Sequence, residues 1–174
     1  MNYFALFDLP RKFNIDKKLL SQNFYKLQLK FHPDLFINDS ESKKKIILEK
    51  SIQINKGYKT LKNFLNRAIY FLCLNGYEVK KETLLLKNND FLIRYFSLYE
   101  QLDNLKENNF NKKELNNLEQ IIQKKIIYCK KKIELEFEKT RYKKVIKIIS
   151  ELLFFEKIKD VLKKEYNIYL RQIN

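Results

Sequence analysis

Two glycines and two prolines in a chain of 174 residues leave little with which to build tight turns. Hairpin loops depend on glycine and proline at set positions, so an all-β fold is set aside and an all-α class is predicted. Cysteine is equally sparse. Cys73 and Cys129 lie far apart and neither belongs to a CxxC pair; buried, inert thiols are expected. A single histidine, His32, cannot build a multi-histidine metal site or pair with a second histidine in catalysis. The sequence offers no nucleophile–base pair, no phosphate-cradling glycine loop and no metal-ligand cluster. A protein that is not an enzyme and needs no cofactor or metal is expected. No run approaches 18 uncharged apolar residues, so no membrane-spanning helix is predicted. "MNYFALFDLP" is too short an apolar run for a signal peptide, starts without basic residues, and lacks the Arg/Ser-rich pattern of a transit peptide. A cytosolic location away from membranes is the expectation.

Charge is abundant, at +15 net, which invites a nucleic-acid reading. Its makeup argues otherwise. Lysine outnumbers arginine 31 to 5, and there are 19 Ile and 18 Asn against 2 Ala. Lys, Asn and Ile use AT-rich codons, so the composition has the look of drift in an AT-rich genome. The charge is also spread evenly, +8 over residues 1–75 and +7 over 76–174. Nucleic-acid binders more often gather arginine on one face, where its fork grips phosphate. A basic helical nucleic-acid-binding protein is therefore the runner-up reading, and no nucleic-acid partner is expected.

In the first half, "YFALFDLP" is a short apolar segment closed by Pro10. Asp16 stands where a helix N-cap should be. Leu20, Phe24, Leu27 and Phe31 follow in steps of 4, 3 and 4, one face of a helix that also carries Lys17, Lys18, Lys26 and Lys30. Pro33 disfavours helical geometry at His32, so that helix should end there. A second long helix is predicted from about Lys43 to Phe64, with Ile47, Ser51, Ile54, Tyr58, Leu61 and Leu65 as its apolar seam. Two such helices joined by loop 32–42 would pack antiparallel, with His32-Pro33-Asp34 exposed at the tip. "NRAIYFLCLNG" adds a short helix, and Gly76 suits its C-terminal cap. Taken alone, His-Pro-Asp also reads as a plain helix stop with a polar turn. As a recognition element, Asp34 offers a carboxylate suited to an arginine fork. Pro33 limits the entropy lost on docking, and His32 can hydrogen-bond on either side of neutral pH.

In the second half, "LNGYEVKKETLLLKNND" reads as a linker into a new helix, about Asp90 to Lys106. There Phe91, Tyr95, Leu98, Leu102 and Leu105 would face a core, while Leu92, Ile93, Phe96 and Tyr99 lie on another side. A helix apolar on two sides must bury both or lend one to a partner. After "KENNFNKK", Leu115, Leu118, Ile122, Ile126, Cys129 and Ile133 mark a second long helix reaching Glu138. A turn near Thr140 leads to a third, about Tyr142 to Leu170. The three would form an antiparallel bundle with its own core. The expected organisation is a helical hairpin domain over 1–75, a linker over 76–88 and a three-helix bundle over 89–174.

A hairpin with a basic first helix and His-Pro-Asp in its connection resembles a J-domain, the module that activates ATP-driven chaperones of the DnaK class. "YFALFDLP", "LQLKFHPDLF", "INKGYKTL" and "NRAIYFLCLNG" together resemble the HscB family of J-domain co-chaperones of iron–sulfur cluster assembly, and the similarity covers nearly the whole chain. The resemblance implies that His32, Pro33 and Asp34, with Lys26 and Lys30, contact the ATPase domain of an HscA-type chaperone and speed its ATP hydrolysis. It implies that the bundle binds the iron–sulfur scaffold protein through Leu92, Ile93, Phe96 and Phe154, with Glu100 beside them. A monomer is expected in isolation. A general J-protein for unfolded polypeptides is the remaining alternative. Leu35 replaces the family's usual lysine, and Gly57 its usual alanine, at an expected helix cost of about 1 kcal/mol. The usual proline is missing from "KNFLNRA", and Ser97 and Asn104 stand at positions usually acidic. The absent CxxC extension of eukaryotic relatives fits a bacterial member.

Overall fold

The computed structural model describes residues 2–79 and 89–173, and the side chains within 2–79 and 96–171. Contacts divide the chain into two units, 1–77 and 78–174. The described residues are all helical or irregular, with no strand among them. The predicted linker lies, from residue 80 on, outside the described residues.

The N-terminal unit begins with one helical turn, α1 (Tyr3–Leu6), whose N-cap Asn2 accepts from the Phe4 N–H. Helix α2 (Lys17–Phe31) starts where Asp16 predicts, its Oδ1 accepting from the N–H groups of Lys18 at 2.8 Å and Leu19 at 3.0 Å. Helix α3 (Glu41–Lys62) returns antiparallel to it. The register is held on one flank by Gln28 Nε2 donating to Asn55 Oδ1 at 3.1 Å. Deeper in the seam Phe24 stacks on Tyr58, with centroids 3.9 Å apart. Leu20, Ile47, Ile54 and Leu61 are buried there. Helix α4 (Phe64–Leu74) lays Leu65, Ala68, Phe71 and Leu72 into the core with Phe4 and Phe7. Gly76 takes φ +84°, and the Tyr77 N–H reaches back to the Leu72 carbonyl at 3.0 Å, the predicted glycine cap.

Two departures from the family pattern acquire physical reasons. The expected helix cost of Gly57 is set against a close approach. A Cβ at that position would meet Tyr3 Cδ1 at 2.9 Å and Phe7 Cε2 at 3.0 Å, so the bare backbone is what lets α1 lie on α3. Where the proline before α4 is missing, Asn63 makes the break. Its backbone is extended, at φ −78° and ψ 127°, and its side chain accepts from the Asn66 N–H at 2.9 Å. An asparagine cap thus makes the break that a proline would otherwise impose.

Arg67 is 3% exposed. A buried guanidinium needs acceptors, and it has them: Nε donates to the Phe13 carbonyl at 3.0 Å and Nη1 to the Leu61 carbonyl at 2.6 Å. It packs against the Phe13 and Phe64 rings, 5.0 and 5.6 Å from their centroids, and the two rings meet edge-on with centroids 5.2 Å apart. One side chain therefore joins the loop before α2, the end of α3 and the start of α4.

The C-terminal unit is three helices: α5 (Asn89–Glu107), α6 (Lys112–Glu138) and α7 (Tyr142–Ile173). On α5, Leu98, Leu102 and Leu105 are buried as predicted; the side chains of Phe91 and Tyr95 lie outside the described residues. The α6 stripe from Leu115 through Leu118, Ile122, Ile126 and Cys129 to Ile133 is buried throughout. It meets Val145, Ile149, Leu152, Phe155, Ile158 and Leu162 of α7. Thr140, at φ +53°, makes the turn, and the Arg141 N–H donates to the Glu136 carbonyl at 2.9 Å. The Glu136 side chain is buried there, with Arg141 Nη1 3.8 Å from its carboxylate.

Two measurements follow from this packing. Arg67→Leu leaves the Phe13 and Leu61 carbonyls buried without their donor and should destabilise the N-terminal unit by about 3 kcal/mol; calorimetric unfolding with an unmoved N-terminal transition would contradict it. Cys73 is exposed and Cys129 buried, and burial, aided by Glu151, pushes the Cys129 thiol up to about 11. The thiolate is the reactive form, so at pH 8 a thiol reagent should label Cys73 quickly and Cys129 only after denaturation.

Candidate chaperone- and scaffold-docking surfaces

Pro33 ends α2 by holding His32 in extended geometry, at φ −70° and ψ 127°. The chain does not pass into loose loop. Pro33–Phe36 forms a short 3-10 turn, with Leu35 N–H donating to the His32 carbonyl at 3.1 Å. His32 caps it: Nδ1 accepts from the Asp34 N–H at 3.3 Å. A neutral ring accepting at Nδ1 carries its proton on Nε2, leaving that N–H as an outward donor. The Asp34 carboxylate lies 3.6 Å from Nδ1 and is 78% exposed. The corner therefore shows solvent a carboxylate and an imidazole edge on a short, capped backbone. Sequence reasoning expected the exposure but not the cap or the 3-10 turn.

Lys26 and Lys30 are both exposed on α2. Lys30 Nζ sits 5.5 Å from the Phe31 ring centroid, and Lys50 of α3 approaches the same ring at 5.4 Å. Lys50, which sequence reasoning did not single out, thus joins Lys30 on one flank of the hairpin. The signal was available only through the antiparallel register, since Lys50 lies 20 positions further along the chain.

On the bundle, Phe96 is 61% exposed, and Glu100 is exposed one turn further along α5. They share a face, as positions four apart on a helix do. Ser97 and Asn104 are exposed as well. The side chains of Leu92 and Ile93 lie outside the described residues. Phe154 is placed differently from a surface contact. It is 3% exposed and meets Tyr99 edge-on, with ring centroids 5.8 Å apart. Its place is beneath α5, supporting the helix that carries Phe96. Periodicity alone could not separate these roles, because α7 is apolar over much of its circumference between Val145 and Leu162. Among the described residues no group of three or more His, Cys, Asp or Glu side chains is arranged to hold a metal. No described helix is long and apolar enough to cross a membrane.

Comparisons with known proteins point the same way as the residues. Residues 87–163 match a family model described as the HSCB C-terminal oligomerisation domain. The chain is 99% identical over 174 residues, all of both chains, to the co-chaperone protein HscB of Buchnera aphidicola subsp. Acyrthosiphon pisum (strain Tuc7). Among solved structures, the chaperone HscB from Vibrio cholerae matches with a TM-score of 0.85 and 29% identity, covering 97% of this chain and 99% of that one. The human co-chaperone protein HscB matches with the same TM-score at 27% identity, over 95% of this chain and 82% of that one. With its full length matched in sequence and its helices in space, the chain belongs to the HscB family of co-chaperones.

Proposed function

We propose that this co-chaperone is an adaptor in the maturation of iron–sulfur proteins, working from the bacterial cytoplasm without catalysing a reaction itself. Its N-terminal unit docks an HscA-type chaperone of the DnaK class and stimulates that chaperone's ATPase. Its bundle binds the scaffold protein on which the cluster is built. The observation that carries the reading is the His32-Pro33-Asp34 corner, where a capped turn presents a 78% exposed carboxylate beside the His32 ring. Such a carboxylate suits an incoming arginine fork. A short backbone already fixed by Pro33 and by the His32 cap loses little entropy on docking. Lys26 and Lys30 supply positive charge beside it, favouring an acidic surface on the partner.

On the bundle, Phe96 is the aromatic anchor of the proposed scaffold surface, with Glu100 on its rim and Phe154 acting from below through Tyr99. Leu92 and Ile93 are proposed to extend the apolar patch along α5. Holding the scaffold on the unit joined to the chaperone-docking tip raises its effective concentration at the chaperone. In isolation the chain is expected to be monomeric, since a net charge of +15 opposes contact between copies.

Asp34→Asn removes the carboxylate charge from an exposed site and should abolish stimulation of the chaperone's steady-state ATP hydrolysis without altering fold or scaffold binding. Undiminished stimulation by that variant would sink the assignment of the corner. Phe96→Ala should weaken scaffold binding by about 2 kcal/mol, the range of an aromatic hot spot. Calorimetry giving wild-type affinity would refute the α5 surface.

A further inference from the structure

Neither docking surface uses the outer face of α6. Among the described residues of the bundle, the exposed large apolar side chains are Phe96 of α5, Ile168 of α7 and three on α6: Ile127, Tyr128 and Leu135, at 45%, 57% and 45%. At 100° per residue these three share an arc of about 100° with Lys124 and Lys131, opposite the buried stripe of the helix. The strip from Ile127 to Leu135 is about 12 Å long. Its charge is of one sign. From Gln120 to Ile133 the helix has five lysines and no aspartate or glutamate. Lys130 is drawn back to Glu156 of α7 at 3.7 Å. Lys124, Lys125, Lys131 and Lys132 are exposed, and Lys132 Nζ lies 5.5 Å from the Tyr128 ring centroid. Large apolar side chains exposed singly need no explanation, but three on one arc among lysines mark a contact surface.

We infer that the outer face of α6 is a peripheral membrane contact that lies on an anionic lipid surface. The inference goes beyond the adaptor reading and does not depend on it. Charge selects the occupant: an acid-free strip of lysines calls for an anionic surface. Shape narrows the choice. The face is the convex side of one helix, and the grooves beside it are lined by Gln123 and Lys159 or by Asn104 and Asn117, not by Ile127, Tyr128 or Leu135. A folded partner would need a matching hollow, whereas lipid headgroups and acyl chains yield around a convex strip. Lysine stems let ammonium groups reach phosphates while apolar neighbours enter the layer. A nucleic acid would meet the same lysines and stack on Tyr128, yet it would leave aliphatic Ile127 and Leu135 in water. A second copy of this chain would set lysine against lysine. The helix lies flat, since no described helix is long and apolar enough to cross a membrane. The expectation of a location away from membranes gives way to reversible contact with a membrane surface.

The test mixes the full chain with vesicles of phosphatidylcholine, alone or with phosphatidylglycerol, and reads partitioning by co-sedimentation. A chain of net charge +15 is drawn to anionic vesicles from any side, so position is what must be tested. Ile127→Asn combined with Leu135→Asn leaves the charge unchanged and should lower partitioning onto the anionic vesicles about tenfold. Both side chains are exposed, so the fold should persist, and circular dichroism with thermal unfolding checks that it does. Lys124→Gln with Lys131→Gln should weaken partitioning more than Lys163→Gln with Lys164→Gln, an equal loss of charge at exposed positions of α7. The chain has no tryptophan, so Tyr128→Trp supplies a single reporter whose emission should shift to the blue on anionic vesicles and not on neutral ones. Undiminished partitioning of the asparagine variant, equal losses in the two lysine variants, or an unshifted emission would each overturn the inference and leave only general charge attraction. Tighter binding to single-stranded RNA than to vesicles, lost in the Lys124→Gln, Lys131→Gln variant, would assign the face to nucleic acid and overturn it as well.

Discussion

Pro33 holds His32 at ψ 127° and so stops α2 where its apolar face meets the end of the seam. The connection must then reverse direction before α3 begins at Glu41. It does so with a short 3-10 turn in which His32 accepts the Asp34 N–H. The residue that the proline pushes out of the helix is the one that caps the next turn. Because the reversal is made of hydrogen-bonded backbone, the Asp34 carboxylate is carried by a defined corner. Replacing the proline would lengthen α2 and carry His32 and Asp34 around the helix axis by 100° per residue, off the tip altogether.

The other end of the hairpin is fixed by a different kind of bond. Burying a guanidinium is costly unless its donors are met and its plane is covered. Arg67 meets carbonyls of Phe13 and Leu61 and packs against two phenyl rings. These partners belong to three separate stretches of chain, so the side chain sets the angle at which α4 leaves α3 and where the loop before α2 lies. The tip can therefore be narrow and almost without a core of its own. Leu35 and Ile37 are exposed there, and the hairpin is stiffened from its base and by the Phe24–Tyr58 stack at mid-height.

Much of this was open to a reading of the residues, for reasons that separate local from distant physics. Asp16, Pro33, Thr140 and Gly76 act on backbone within a few positions, so the helix ends could be placed close to where they fall. The α6 stripe from Leu115 to Ile133 is a simple 3.6-residue pattern and is buried along its whole length. What escaped depends on partners far along the chain. Arg67 sits in the apolar stretch "NRAIYFL", an odd place for a cation, but its acceptors at 13 and 61 are known only once the chain is folded. Gly57 looked like a weakness of α3 until the rings of Tyr3 and Phe7 were found against it. Phe154 was grouped with Phe96 on the strength of a family resemblance, yet it is buried under Tyr99 while Phe96 faces solvent.

The two units differ in how they present a surface, and the difference bears on the adaptor role. At the hairpin tip the groups on show are a carboxylate, an imidazole edge and lysines, all sensitive to the exact course of the backbone and to salt. On α5 the described group on show is the Phe96 ring, which tolerates small shifts because apolar contact is not directional. Each unit has its own buried core, so a change in either surface leaves the packing that holds the other untouched. The proposed adaptor role, with two partners, would gain from this separation. The directional surface is suited to a brief, switchable encounter with an ATPase, and the apolar one to holding a folded protein until that encounter occurs. Under the proposed adaptor role, covalent connection of the two would by itself couple them through effective concentration.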